Sequence, residues 1–166
     1  MRIVSLACSN TEIVCALGCA DMLVGVDDHS DFPVEVVSEL PKVGPDLEID
    51  VDAVADLEPD LVLATLTVPG HEKVVEELEE RGLPFIAPEP VCLADVYRDI
   101  REIAGHLGVE ERAEELVEEM RLELEPGDGR GVGRQPKAAG AAGPPQPADP
   151  DAGANSGDRP TILVQW

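Results

Sequence analysis

Aromatic residues are nearly absent from this chain, with two Phe, one Tyr and one Trp among 166 residues. Bases are scarce too: 12 Lys and Arg stand against 35 Asp and Glu, and three of the 12 are lysines. A net charge of −23 repels phosphate, which argues against nucleic acid as a partner. No apolar run approaches the roughly 20 residues of a membrane-spanning helix. Met1 leads straight into the first apolar segment, without a charged n-region and apolar h-region, so the product as written reads as soluble and cytoplasmic. The loop after that segment has no glycine to cradle a phosphate. Ser9 lacks the Gly-x-Ser-x-Gly elbow that exposes a nucleophile. Cys8, Cys15, Cys19 and Cys92 have no zinc-ribbon or redox spacing. Cys15 and Cys19, four apart on a helix, could share a metal but are read as part of the helix's apolar face. Cys8 either lines a crevice or packs under its loop. No catalytic set assembles, and the chain is read as a non-enzyme.

What is present is an alternation of short apolar strands and amphipathic helices. Arg2–Ala7 reads as a buried strand, and Ser9 to Glu12 as a capping box opening a helix from Asn10 to Leu17, ended by Gly18. Further strands are expected at Met22–Val26, Asp60–Ala64 and Leu83–Ala87. Helices are expected over Val34–Val37, Asp52–Leu57, His71–Arg81, Leu93–Leu107 and Val109–Glu125, with Lys42–Gly44 as a turn. This order implies an α/β fold, a Rossmann-like parallel sheet with flanking helices. The folded lobe is placed at residues 1–125. Residues 126–160, of which 15 of 35 are Pro or Gly, read as a linker, and residues 161–166 as one orphan strand. Residues 1–126 hold 31 acids and 8 bases, so the charge resides in the lobe. Many carboxylates beside few lysines and aromatics point to a protein made for high salt, where repulsion is screened; the plainer alternative is a set of solvated helix faces.

In a parallel sheet the loops at the carboxyl ends of the strands meet at one rim, where ligands bind. Here they run from Ala7 to Asn10, Asp27 to Asp31, Thr65 to Val68, and Pro88 to Pro90. They offer Ser9, Asn10, two threonine hydroxyls, Glu89 and His29, which is flanked by Asp27, Asp28 and Asp31. His29 can ligate a metal or change charge near neutral pH. It is equally an exposed histidine in a solvated acidic loop. Ser9 is explained by helix capping. His71 and His106, on helices, are expected to face solvent.

Five motifs in order carry a family likeness: Ile3–Ile13 (IVSLACSNTEI), Leu17-Gly18, Val24-Gly25-Val26, Ser30-Asp31-Phe32-Pro33, and Pro59–Ala64 (PDLVLA). They resemble the N-terminal lobe of the substrate-binding proteins of cobalamin and iron-chelate ABC importers, the type with a helical backbone. The helix pair from Leu93 to Glu125 is similar to that family's run into its inter-lobe helix, and residues 159–166 to the first strand of its C-terminal lobe. The resemblance implies a receptor lobe, interrupted where a second lobe would start, that takes cobalamin or a related corrinoid in an inter-lobe crevice. Ferric siderophore or haem is the alternative ligand. It implies ligand contacts from Asn10, His29, Ser30, Asp31, Phe32, Leu66 and Thr67, and a permease-docking acid at Glu72. It implies no cofactor besides that ligand, a monomer, and an extracytoplasmic setting. A rival reading without the resemblance is a cytoplasmic metal-handling protein or enzyme built on His29 and its neighbouring carboxylates.

Overall fold

The computed structural model describes residues 1–124. The expected linker at 126–160 and strand at 161–166 lie outside the described residues. In chain order the elements are β1 (Ile3–Ser5), α1 (Cys8–Ala16), a 3-10 turn (Ala20–Met22), β2 (Leu23–Val26), α2 (Val34–Val37), α3 (Val51–Asp56), β3 (Leu61–Leu63), α4 (His71–Glu80), β4 (Phe85–Ile86), α5 (Leu93–Leu107) and α6 (Glu110–Leu124).

Every strand pairs in parallel, in the order β2-β1-β3-β4. Successive strand residues point to opposite faces, so Ile3 enters one core and Val4 the other. The Ile3 core includes Val14 of α1, Ile100 and Ile103 of α5 and Val117 of α6. The Val4 core takes Val54 of α3 and Val74 and Leu78 of α4. Burial on both faces is why the strands read as unbroken apolar runs. The α/β expectation is therefore met.

Two local expectations need correction. Lys42 to Gly44 is no simple turn: the Val26 N–H donates to the Pro41 carbonyl and the Val43 N–H to the Val26 carbonyl, both at 3.0 Å. This short parallel contact extends the sheet beyond β2. Val43 is buried there, but a contact this short leaves no alternating pattern to read. The second correction concerns α1, which begins at Cys8, with Ala7 as an N-cap in extended conformation and no side-chain cap. Ser9 thus sits inside the helix, because the polar groups of the next turn serve tertiary bonds described below. At the other end Gly18, at φ 70°, turns the chain so that Cys19 lies off the helix. Arg112 of α6 reaches back and donates to the Leu17 carbonyl at 2.9 Å and the Gly18 carbonyl at 3.2 Å. Among the described residues no helix is long and apolar enough to cross a membrane.

Candidate functional site

The chain passes from β1 outward to β2, returns across to β3, and continues to β4, so the direction of winding reverses between β1 and β3. Helices α1 and α4 leave from this point towards opposite cores. Such a switch point opens a crevice at the strands' carboxyl ends. Asn10 lies in it. Its Nδ2 donates to the Ala64 carbonyl at 2.8 Å, with a longer approach of 3.5 Å to the Leu63 carbonyl. Asn10 is 5% exposed, so its amide ties α1 to the end of β3.

A second set of internal bonds supports the loop after β2. The Asp27 carboxylate, fully buried, accepts the Ser30 hydroxyl at 2.5 Å and the His29 backbone N–H at 3.0 Å. Ser30 Oγ lies 2.8 Å from the Thr11 hydroxyl, which in turn reaches Ser5 Oγ at 2.9 Å. Lys42 closes the loop from the other side, donating to the Ser30 carbonyl at 2.6 Å and the Asp27 carbonyl at 3.2 Å. Buried polar groups are tolerated when paired in this way, and the chain joins β1, α1 and the β2 loop beneath the rim.

The remaining candidates stand at the surface. His29, Asp31 and Thr67 are exposed, Leu66 is half-buried, and Phe32 is 58% exposed despite its size. Leu66 and Thr67 ride on a tied loop: the Leu66 N–H donates to the Pro88 carbonyl at 3.1 Å, and Thr65 Oγ1 lies 2.9 Å from Thr67 Oγ1. Of the seven expected contact residues, four are thus exposed and Leu66 half-buried, while Asn10 and Ser30 are spent on internal bonds.

His29 Nε2 lies 4.0 Å from Asp46 Oδ2, at the edge of ion-pair range, with both side chains about half-exposed. Among the described residues no three His, Cys, Asp or Glu side chains converge to hold a metal ion. Asp46 and the exposed Leu47 belong to the rim as well, unforeseen because Pro45–Glu48 carries no strand or helix pattern. Glu72, in the first turn of α4, is exposed and accepts the Gly70 N–H at 2.7 Å. Its own backbone N–H, and then that bond from Gly70, hold its carboxyl below the usual range.

Beside the rim an apolar groove of about 510 Å³ runs along α1, α5 and α6, lined by Cys8, Ile13, Phe32, Val96, Leu116 and Met120 among others. Cys8 is exposed there, while Cys19 is buried, but beyond the end of α1 and not on the helix face it was expected to share with Cys15. Cys15 is half-buried; burial, then Glu12 and Glu35, push its thiol up. His106 is exposed, but His71 is not: it is 3% exposed, contrary to the expectation, because its ring lies against the loop after β3, with Nδ1 3.2 Å from the Thr65 carbonyl.

The sequence profile described as periplasmic binding protein matches residues 3–126. The chain belongs to that family. Within it, the chain is 36% identical over 125 residues to an uncharacterized ABC transporter substrate-binding lipoprotein of Bacillus subtilis, covering 74% of this chain and 39% of that one. It is 29% identical over 136 residues to the vitamin B12-binding protein of Yersinia pestis, covering 82% and 48%. Among solved structures, the periplasmic heme-binding protein of Pseudomonas aeruginosa superposes with a TM-score of 0.67 at 31% identity, covering 74% of this chain and 44% of that one. The vitamin B12-binding protein of Vibrio cholerae superposes at 0.65 and 27%, covering 74% and 48%. The chain spans less than half the length of these periplasmic binding proteins. The resemblance to one lobe of cobalamin and iron-chelate binding proteins is borne out. These relatives are named as binding proteins, not as enzymes.

Proposed function

We propose that this chain is one lobe of the substrate-binding component of an ABC importer, and that its rim takes a bulky metal-centred macrocycle, with cobalamin the first reading. The observation that carries it is the rim itself. Loops tied from beneath by buried bonds carry exposed Phe32 and Thr67 and half-buried Leu66 at the strands' carboxyl ends, in a family whose relatives include vitamin B12-binding proteins. An exposed aromatic ring on one strand-end loop, with an aliphatic side chain and a hydroxyl on another, suits a large, largely apolar ligand with a few polar edges. Direct contact falls to His29, Asp31, Phe32, Leu66 and Thr67, with Asn10 and Ser30 fixing the loops that carry them. His29 is the residue able to approach the metal of such a ligand.

Haem is the second reading, favoured by the solved heme-binding relatives from Roseiflexus and Pseudomonas at 30% and 31% identity. Glu72 is the proposed contact to a cationic patch on the permease, its charge kept by two backbone N–H groups. The test is titration of the chain with cyanocobalamin and with hemin, followed by absorbance and calorimetry in molar KCl. One lobe covers one side of the ligand, so saturable one-to-one binding weaker than that of a closed two-lobed receptor is expected. Phe32→Ala should weaken it. Saturation by hemin alone moves the assignment to the second reading, and no saturable binding of either sinks both.

A further inference from the structure

We propose that His71 is a positioning residue of this rim, a clamp that holds the loop bearing Leu66 and Thr67; the assignment rests on the reading of that loop as part of the ligand face. His71 opens α4 and is 3% exposed. Its ring Nδ1 lies 3.2 Å from the Thr65 carbonyl. A carbonyl only accepts, so Nδ1 carries the proton, and in the neutral ring Nε2 is left as a lone-pair acceptor. Nε2 is buried with no hydrogen-bond partner among the described residues. A leucine or phenylalanine would fill this space without an unpaired polar atom. What the imidazole adds is one directed donor, aimed at Thr65.

The same residue grips the other end of the segment, since the His71 backbone N–H donates to the Val68 carbonyl at 3.1 Å. Ring and backbone together hold residues 65 and 68, and the two residues between them are Leu66 and Thr67. The clamp extends further through Thr65, whose hydroxyl meets Thr67 Oγ1 at 2.9 Å and the Pro88 carbonyl at 3.3 Å. The loops after β3 and β4 are joined through Thr65 and Leu66, whose segment His71 holds from a buried position.

The experiment compares the full chain with His71→Phe, which keeps bulk and removes the donor, and His71→Asn, which returns a donor near the Nδ1 position. Amide exchange of Leu66 and Thr67 is read by NMR against the β1 and β3 amides, and the ring tautomer from its nitrogen shifts. Expected are a protonated Nδ1, loop exchange faster by about tenfold in His71→Phe with the sheet unchanged, and recovery in His71→Asn. Affinity for cyanocobalamin or hemin should follow the same order. An Nε2-protonated ring, uniform loss of protection over the sheet, or unaltered affinity beside a loosened loop overturns the proposal. A wild-type chain that binds neither probe overturns the ligand reading instead, because exchange and tautomer judge the clamp without ligand.

Discussion

Asn10→Asp should unfold this lobe more readily than Asn10→Ala, although aspartate is nearly the same size as the asparagine it replaces. The native amide donates to the Ala64 carbonyl at 2.8 Å from a site that is 5% exposed. Alanine removes that bond and leaves a buried carbonyl unpaired, at a cost of about 1–3 kcal/mol. Aspartate does the same and adds more, because a carboxylate oxygen then faces the Ala64 carbonyl, acceptor against acceptor, and a charge is confined where water does not reach. Its penalty should reach about 3–5 kcal/mol, typical of an uncompensated buried charge. For a domain of this size each kcal/mol lowers the melting temperature by about 4 °C, so the alanine variant should lose about 4–12 °C and the aspartate variant more. Thermal and urea unfolding by circular dichroism at fixed KCl measures both. The aspartate variant should partly recover as pH falls toward the ordinary carboxylate range, beginning above it, because burial favours the protonated acid, which returns a donor. Asn10→Asp melting within 2 °C of wild type would refute the reasoning, since the amide would then not be holding β3.

Ile103→Ala empties a fully buried site between α5 and the sheet and should cost about 2–5 kcal/mol in urea unfolding, whereas Leu122→Ala, 75% exposed on α6, should stay within about 0.5 kcal/mol. Arg112→Ala removes the donor to the Leu17 and Gly18 carbonyls and should lower stability by about 1–2 kcal/mol, with Arg112→Lys recovering part of the loss because a single nitrogen, Nη1, makes both bonds. Glu72 has a depressed folded-state value, so its contribution is present above the unfolded carboxylate range and lost as pH falls through the folded value. The stability gap between wild type and Glu72→Gln should therefore be open at pH 7 and close in acid. Residues 1–124 hold 30 acids and 8 bases, so raising KCl from roughly 0.1 to 1 M, which shortens the screening length from about 10 to 3 Å, should raise the unfolding midpoint. A flat response would count against a lobe adapted to high salt.

Strand positions were legible because a sheet covered on both faces leaves unbroken apolar runs, such as Leu61-Val62-Leu63, that few other structures need. Helix ends with a glycine were legible too: Gly18, Gly82 and Gly108 all take positive φ just past a helix. The start of α1 was not, because Ser9 to Glu12 satisfies the capping pattern while a helix can also begin at an uncapped Ala7 when tertiary bonds hold its first turn. Pro41 to Val43 escaped because two hydrogen bonds suffice to join a sheet and leave no period to detect.

The rim was legible as a place and not as a set of side-chain directions. A polar residue in a strand-end loop looks the same in sequence whether it reaches outward to a ligand or inward to a carbonyl. Asn10 and Ser30 reach inward, as do Asp27, Lys42 and His71; Phe32 and Thr67 stand outside. The inward group is the larger source of order: its hydrogen bonds run between elements far apart in sequence, from Asn10 to Ala64 and from Thr11 to Ser30. A rim built this way keeps its shape without ligand, so whatever binds pays little to organise the loops. It follows that substitutions at Asn10, Asp27 and Ser30, which tie separate elements together, should lower stability and affinity together, whereas Phe32→Ala should lower affinity alone.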